Sequence, residues 1–187
     1  GGAVPRRHLA PPRPSFFAYL SPHRFPRAAD VVRGVSAVTL PDERWAHCDF
    51  KTTMLLAAVF AKRAAAARGA AEALLVAPDG TVREGASSTV FVVRRGRILS
   101  PAPSPHLLPG TTSQLVAAAA AEAGVELDFG EVRLDDLRAA DEVFIAATSQ
   151  LAMPVLVLDG RPVGGGAAGP VATDLARRLR HRLQLDD

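Results

Sequence analysis

The chain has 187 residues, 48% of them hydrophobic and 22% charged, with a formal net charge of +3. That length and apolar content suit one full domain and part of a second, and exclude disorder as the main state. The small, dispersed basic excess argues against nucleic acid as a partner, and a single cysteine, Cys48, excludes a disulfide scaffold or a Cys-rich zinc site.

Residues 1–14 are rich in Gly, Pro and Arg and hold no regular structure for long. Their basic residues precede no apolar run of the kind a secretory signal needs. No stretch reaches the ~18–20 apolar residues of a membrane span. The first residue is Gly, not Met, so the chain reads as a piece of something longer or a processed product. Ser15–Leu20 and Val31–Leu40 are expected as strands joined by a Pro-bearing turn. Two strands cannot stand alone, so this front part needs a partner.

Residues 41–50 form a connector, and then the character changes. Thr53–Arg68 is expected as a helix that stops at Gly69. Short strands follow at 72–77, 81–84, 88–94 and 97–99, with Pro-Asp-Gly and Arg-Gly turns between them. They read as a meander. A Pro-rich loop, 101–109, leads to a helix from Thr111 to Ala123 that stops at Gly124. A strand over 125–132, a short helix over 134–139, strands over 142–147 and 151–159, and a terminal helix over 171–183 complete the chain. Antiparallel-looking runs mixed with three main helices make the class α+β.

Of the 22 Lys and Arg residues, only Lys51 and Lys62 are lysine. Lysine can lose its proton and act as an amine nucleophile, whereas arginine cannot. Lys51 lies at the junction of the connector and a helix, where function concentrates. Lys62 lies mid-helix beside Arg63 and reads as part of a solvated face. Glu84 opens the run Glu-Gly-Ala-Ser-Ser, where a missing side chain at Gly85 lets a ligand approach closely. An ordinary turn with a solvated Glu fits the same run. Leu108-Pro109-Gly110-Thr111-Thr112 enters a helix, so free amides and two hydroxyls suit a phosphate. N-capping by Thr111 or Thr112 fits equally. Thr148 and Ser149 add a hydroxyl pair at a strand end. The five histidines lie far apart with no metal-ligand spacing, and no metal is expected.

Lys51, Glu84, the Leu108–Thr112 stretch and Ala147-Thr148-Ser149, in that order, resemble the class IV aminotransferases. That group includes the D-amino-acid and branched-chain aminotransferases and aminodeoxychorismate lyase. The resemblance covers residues 43–187 well and 1–42 more weakly. It implies the C-terminal domain of their fold, a mixed sheet or pseudo-barrel with helices, plus remnant strands of a smaller N-terminal domain. The implied division is 1–42 as the tail of that domain on the substrate side, 43–49 as connector, and 50–187 as the cofactor domain.

It further implies pyridoxal 5'-phosphate as cofactor. Lys51 would hold it covalently and act as the catalytic residue, and Glu84 would face the ring nitrogen. Leu108 would pack on the ring, and Thr111, Thr112 and Thr148 would hold the phosphate. Arg6, His8 and Ser149 would face the substrate. Arg6-Arg7-His8 matches the Arg-x-His stretch of the D-amino-acid enzymes, although a plain basic terminus has the same composition.

The implied reaction moves an amino group between a D-amino acid or branched-chain-like amino acid and a 2-oxo acid, in a cytoplasmic homodimer with no nucleic-acid or membrane partner. Two alternatives accompany it: 4-amino-4-deoxychorismate lyase on the same fold, and a truncated, non-catalytic chain. Met54 and Ser113 stand where the family often has Asn and Arg. Most of the smaller domain, with its phosphate-binding arginine and substrate-side tyrosine, has no counterpart in these residues.

Overall fold

The computed structural model describes residues 16–185. The expected terminal contacts of Arg6 and His8 lie outside the described residues. Residues 16–20 form no strand, and Phe16, Phe17, Tyr19 and Leu20 are almost fully exposed. The expected strand from Val31 is also shorter. Residues Ala28–Arg33 form a helical turn, α1, because the Asp30 carboxylate accepts from the Arg27 N–H at 2.9 Å and satisfies its open end. Gly34, with φ +53°, stops it, and β1 runs over Val35–Pro41.

The remaining elements are α2 (Leu56–Ala67), β2 (Glu72–Val76), β3 (Val82–Gly85), β4 (Thr89–Arg94), β5 (Arg97–Pro101), α3 (Thr111–Glu122), β6 (Leu127–Gly130), α4 (Leu134–Arg138), β7 (Glu142–Ala147), β8 (Leu151–Leu158), β9 (Arg161–Pro162) and α5 (Pro170–Arg182). The expected meander over β2–β5 splits in two. Strand order is β3-β2-β1-β8-β7-β4-β5-β6, with β9 on β8. β1 is hydrogen-bonded on both edges, parallel to β2 and to β8, so residues 35–41 share one sheet with the rest. The β2–β3 pair lies at one end and the β4–β5 hairpin near the other.

The sheet curls until its ends meet. Val82 N–H donates to Val132 O at 2.8 Å, and Leu134 N–H to Gly80 O at 3.0 Å. This joins β3 to the segment after β6, the expected pseudo-barrel. Side-chain alternation then decides what fills it. Val90, Val92, Val143, Ile145, Met153 and Val155 pack inside with Leu74 and Val82. Their neighbours Phe91, Val93, Phe144 and Ala146 point outward and are covered by α3 and α5. Phe91 and Phe144 stack with centroids 4.8 Å apart. Each such buried side chain contributes about 1.5–3 kcal/mol. α2 packs only its small residues, Ala61 and Ala65, onto β1 and β2.

One buried carboxylate ties a helix to this sheet. Glu142, at the start of β7, accepts from Val171 N–H at 3.0 Å and Ala172 N–H at 2.8 Å, capping the N-terminus of α5. None of the helices described here is long and apolar enough to cross a membrane.

Candidate active site

Glu84 is the penultimate residue of β3, at one mouth of the curled sheet, and is buried. An isolated carboxylate there would be costly, so its partners decide what it can do. Arg44 Nη1 donates to Glu84 Oε1. The same guanidinium grips Asp42 through two bonds of 2.9 Å and reaches His106 O at 3.1 Å. The Leu108 N–H is shared between both Glu84 oxygens at 3.3 Å.

Burial pushes the Glu84 carboxyl above the ordinary value of 4.5, and Arg44 opposes that shift. Burial also acts to raise Asp42, but the Arg44 hydrogen bonds and charge outweigh it and hold Asp42 below 3.8. Arg44 itself, despite desolvation, is held firmly as a cation by its two carboxylates. Among the described residues, Oε2 of Glu84 accepts only the shared Leu108 N–H, so it has capacity for a further donor.

Glu84 borders a cavity of about 170 Å³ that Asp49, Leu107, Leu108, Ser113 and Phe129 also line. Asp49 N–H donates to Pro105 O at 3.2 Å, which ties the segment just before Lys51 to the loop that carries Leu108. Lys51 is exposed. Its amine makes no hydrogen bond or ion pair among the described residues. Lys62 is not simply part of a solvated face. Its Nζ donates to Ala71 O at 2.8 Å and lies 3.2 Å from the fully buried Glu72 carboxylate.

The start of α3 lies beside the same cavity. Gly110 precedes the helix with extended backbone, and no side chain caps the helix. Neither Thr111 nor Thr112 plays the capping role; Ser113 Oγ instead donates to Gly110 O at 2.8 Å. Thr111 is exposed and Thr112 buried. A side chain at Gly110 would approach Thr89 Oγ1, and Thr89 is the ladder partner of Ala146 on β7. This places the helix start near the β7–β8 turn, where Thr148 and Ser149 stand exposed. The structure therefore gathers Glu84, Leu108 and the α3 start around one mouth, with Lys51 and Thr148 on its flanking segments.

Sequence reasoning misses Arg44 and Asp42, because residues 41–50 read as a bare connector. The available signal is an Asp and an Arg two apart in an otherwise apolar-flanked stretch. Buried arginine requires carboxylate partners, but Glu84 is forty residues away and no spacing links the two.

A model of the Amino-transferase class IV family matches residues 2–158. D-alanine aminotransferase from Bacillus licheniformis is 36% identical over 184 residues, covering 97% of this chain and 64% of that protein. A branched-chain amino acid aminotransferase from T.th., solved with pyridoxamine 5'-phosphate, is 34% identical with a TM-score of 0.73, covering 80% of this chain and 52% of that one. The fold IV transaminase CpuTA1 from Curtobacterium pusillum is 26% identical with a TM-score of 0.75, covering 87% and 57%. The chain thus spans less than two thirds of the length of these relatives. With the motifs, the curled sheet and this match in agreement, the chain belongs to the class IV aminotransferases.

Proposed function

We propose that the protein is a pyridoxal-phosphate-dependent aminotransferase that moves an amino group between a small amino acid and a 2-oxo acid. The observation that carries this reading is the buried Glu84 carboxylate, held by Arg44 and the Leu108 N–H with one oxygen able to accept more, beside an uncapped helix start. The donor set fits the cofactor. A cationic ring nitrogen suits Glu84, and a dianionic phosphate suits the free amides of Thr111 and Thr112 and the exposed Thr148 hydroxyl. The branched-chain relative solved with pyridoxamine 5'-phosphate supports the choice of cofactor.

Pyridoxal phosphate, when bound, supplies a ring that draws off the charge developed at the substrate's α-carbon. This chain's residues do the rest. Lys51 holds the cofactor covalently and moves the proton at that α-carbon. Glu84 keeps the ring nitrogen protonated, with its own ionisation maintained by Arg44. Leu108 would pack on the ring face and Ser149 would face the substrate carboxylate; Arg6 and His8, given that same role by the resemblance, lie outside the described residues. The division into 1–42, 43–49 and 50–187 is one of role, since β1 shares the sheet.

The D-alanine and branched-chain names of the relatives support a D-amino acid or branched-chain-like substrate over aminodeoxychorismate. Pyridoxal phosphate titration followed by absorbance, then turnover of D-alanine or leucine with and without a 2-oxo acid, tests the reading. Turnover that needs the 2-oxo acid supports transfer. Release of pyruvate from aminodeoxychorismate without one shows the lyase, and no cofactor uptake shows a non-catalytic chain.

A further inference from the structure

Glu72, at the start of β2, is fully buried, yet it borders no substrate or cofactor group assigned above. Four donors converge on its carboxylate. Ala73 N–H donates to Oε1 at 2.9 Å, and Lys62 Nζ lies 3.2 Å from the same oxygen. Ser87 Oγ and Ser88 Oγ donate to Oε2 at 3.0 and 2.9 Å. A buried charge so completely satisfied is costly to assemble and costly to break.

Apart from the Ala73 N–H of β2 itself, the donors come from two other elements, both adjacent to the site. Lys62 belongs to α2, which begins five residues after Lys51. Ser87 and Ser88 belong to the turn that follows β3, the strand that carries Glu84. That turn is tight: Gly85 N–H donates to Ser88 O at 2.7 Å. A Cβ on Gly85 would collide with Ser88 Oγ and press on the Glu72 carboxyl. α2 otherwise meets the sheet through small residues, Ala61 and Ala65, which leave it little to lock against. The Lys62–Glu72 pair supplies a fixed point.

We propose that Glu72 is a positioning residue that holds α2, the helix that follows the Lys51 segment, and the turn that follows the Glu84-bearing strand in register with each other. One oxygen pins the helix through Lys62 and the other pins the turn through the two serines. Lys51 and Glu84 must act on the same cofactor from different segments, and displacements of even ~1 Å are expensive in such sites. The proposal rests on the role given to Glu84 under Proposed function.

The test is a cycle of Glu72→Gln, Glu84→Gln and the double variant. It is read by the pH dependence of the absorbance of the chain loaded with pyridoxal phosphate, and by cofactor affinity. Glu72→Gln is expected to shift the spectral titration in the same direction as Glu84→Gln and to weaken affinity about tenfold. In the Glu84→Gln background it should shift the titration no further. A Glu72→Gln spectral shift undiminished in that background, or no shift at all while Glu84→Gln gives one, overturns the positioning. Glu84→Gln with a parental titration overturns the Glu84 assignment and the positioning together. If Glu72→Gln does not fold, Ser87→Ala and Lys62→Met replace it in the same cycle, with the same expected coupling. Lys62→Arg, which keeps the ion pair, is expected to restore the parental titration.

Discussion

At the scale of single residues, the ionisation of Glu84 governs the site. Burial raises its pKa above 4.5, so on acidification it takes up a proton earlier than an ordinary Glu. A neutral carboxyl cannot hold a protonated ring nitrogen. Pyridoxal phosphate affinity is therefore expected to fall as pH drops through that raised value. Glu84→Gln should flatten this part of the profile and slow transamination strongly while the cofactor still binds. Absorbance titrations of the two proteins from pH 8 down through the ordinary Glu range, to about pH 4, check this, and parallel profiles would contradict it.

Arg44 carries the complementary prediction. Arg44→Met strands one buried and one partly buried carboxylate and is expected to cost about 3 kcal/mol at neutral pH. Asp42 has a depressed pKa, so its share of that stability is present above 3.8 and lost as pH falls through the depressed value. The stability gap between parent and variant, measured by urea unfolding, should narrow on acidification. The sequence singles out Lys51, Glu84, Leu108 and the threonines because each sits in a short local pattern with its own chemistry. Arg44 and Glu72 are not singled out, because their partners lie 40 and 10–16 residues away on other elements.

At the scale of elements, local pattern predicts type well and neighbours poorly. β7 falls on 142–147 as expected, and α2, α3 and α5 stop where Gly or the end of an apolar pattern indicates. The order of the strands is a different matter. β1 pairs parallel with β2 and β8, and β5 with β6, across long crossovers that no local residue encodes. The alternating strands β4 and β7 do carry one legible signal. Their two aromatic residues, Phe91 and Phe144, both point outward and need a helix layer to cover them. Phe144 stacks fully buried on Phe91 beneath that layer. Phe144→Ala is expected to destabilise the fold by about 3–5 kcal/mol. Thermal or urea unfolding would show it, and a loss under about 1 kcal/mol would mean that the two faces of the sheet have been misread.

At the scale of the molecule, one group of uncovered apolar side chains is contiguous along α2, apart from those at 16–20. Phe50, Met54, Leu55, Leu56, Val59 and Phe60 are each roughly half exposed or more and follow one another along α2 and its approach. Contiguous exposed apolar residues of this kind mark an interaction surface more often than isolated ones do. This patch fits the homodimer that the resemblance implies, and Lys51 lies next to Phe50 in the same exposed stretch. Leu56→Glu with Phe60→Glu is expected to shift sedimentation from dimer to monomer. A dimer unchanged by both substitutions would place the contact elsewhere.

Lys51 is the centre of the proposed chemistry, and the composition of the chain makes the decisive measurement simple. Only two lysines are present, Lys51 and Lys62. Loading with pyridoxal phosphate, borohydride reduction and peptide mass mapping would locate the covalent attachment. The expected result is a phosphopyridoxyl group on the peptide that contains Lys51, lost in Lys51→Ala and retained in Lys62→Ala. The group on Lys62, or on neither lysine, would contradict the assignment.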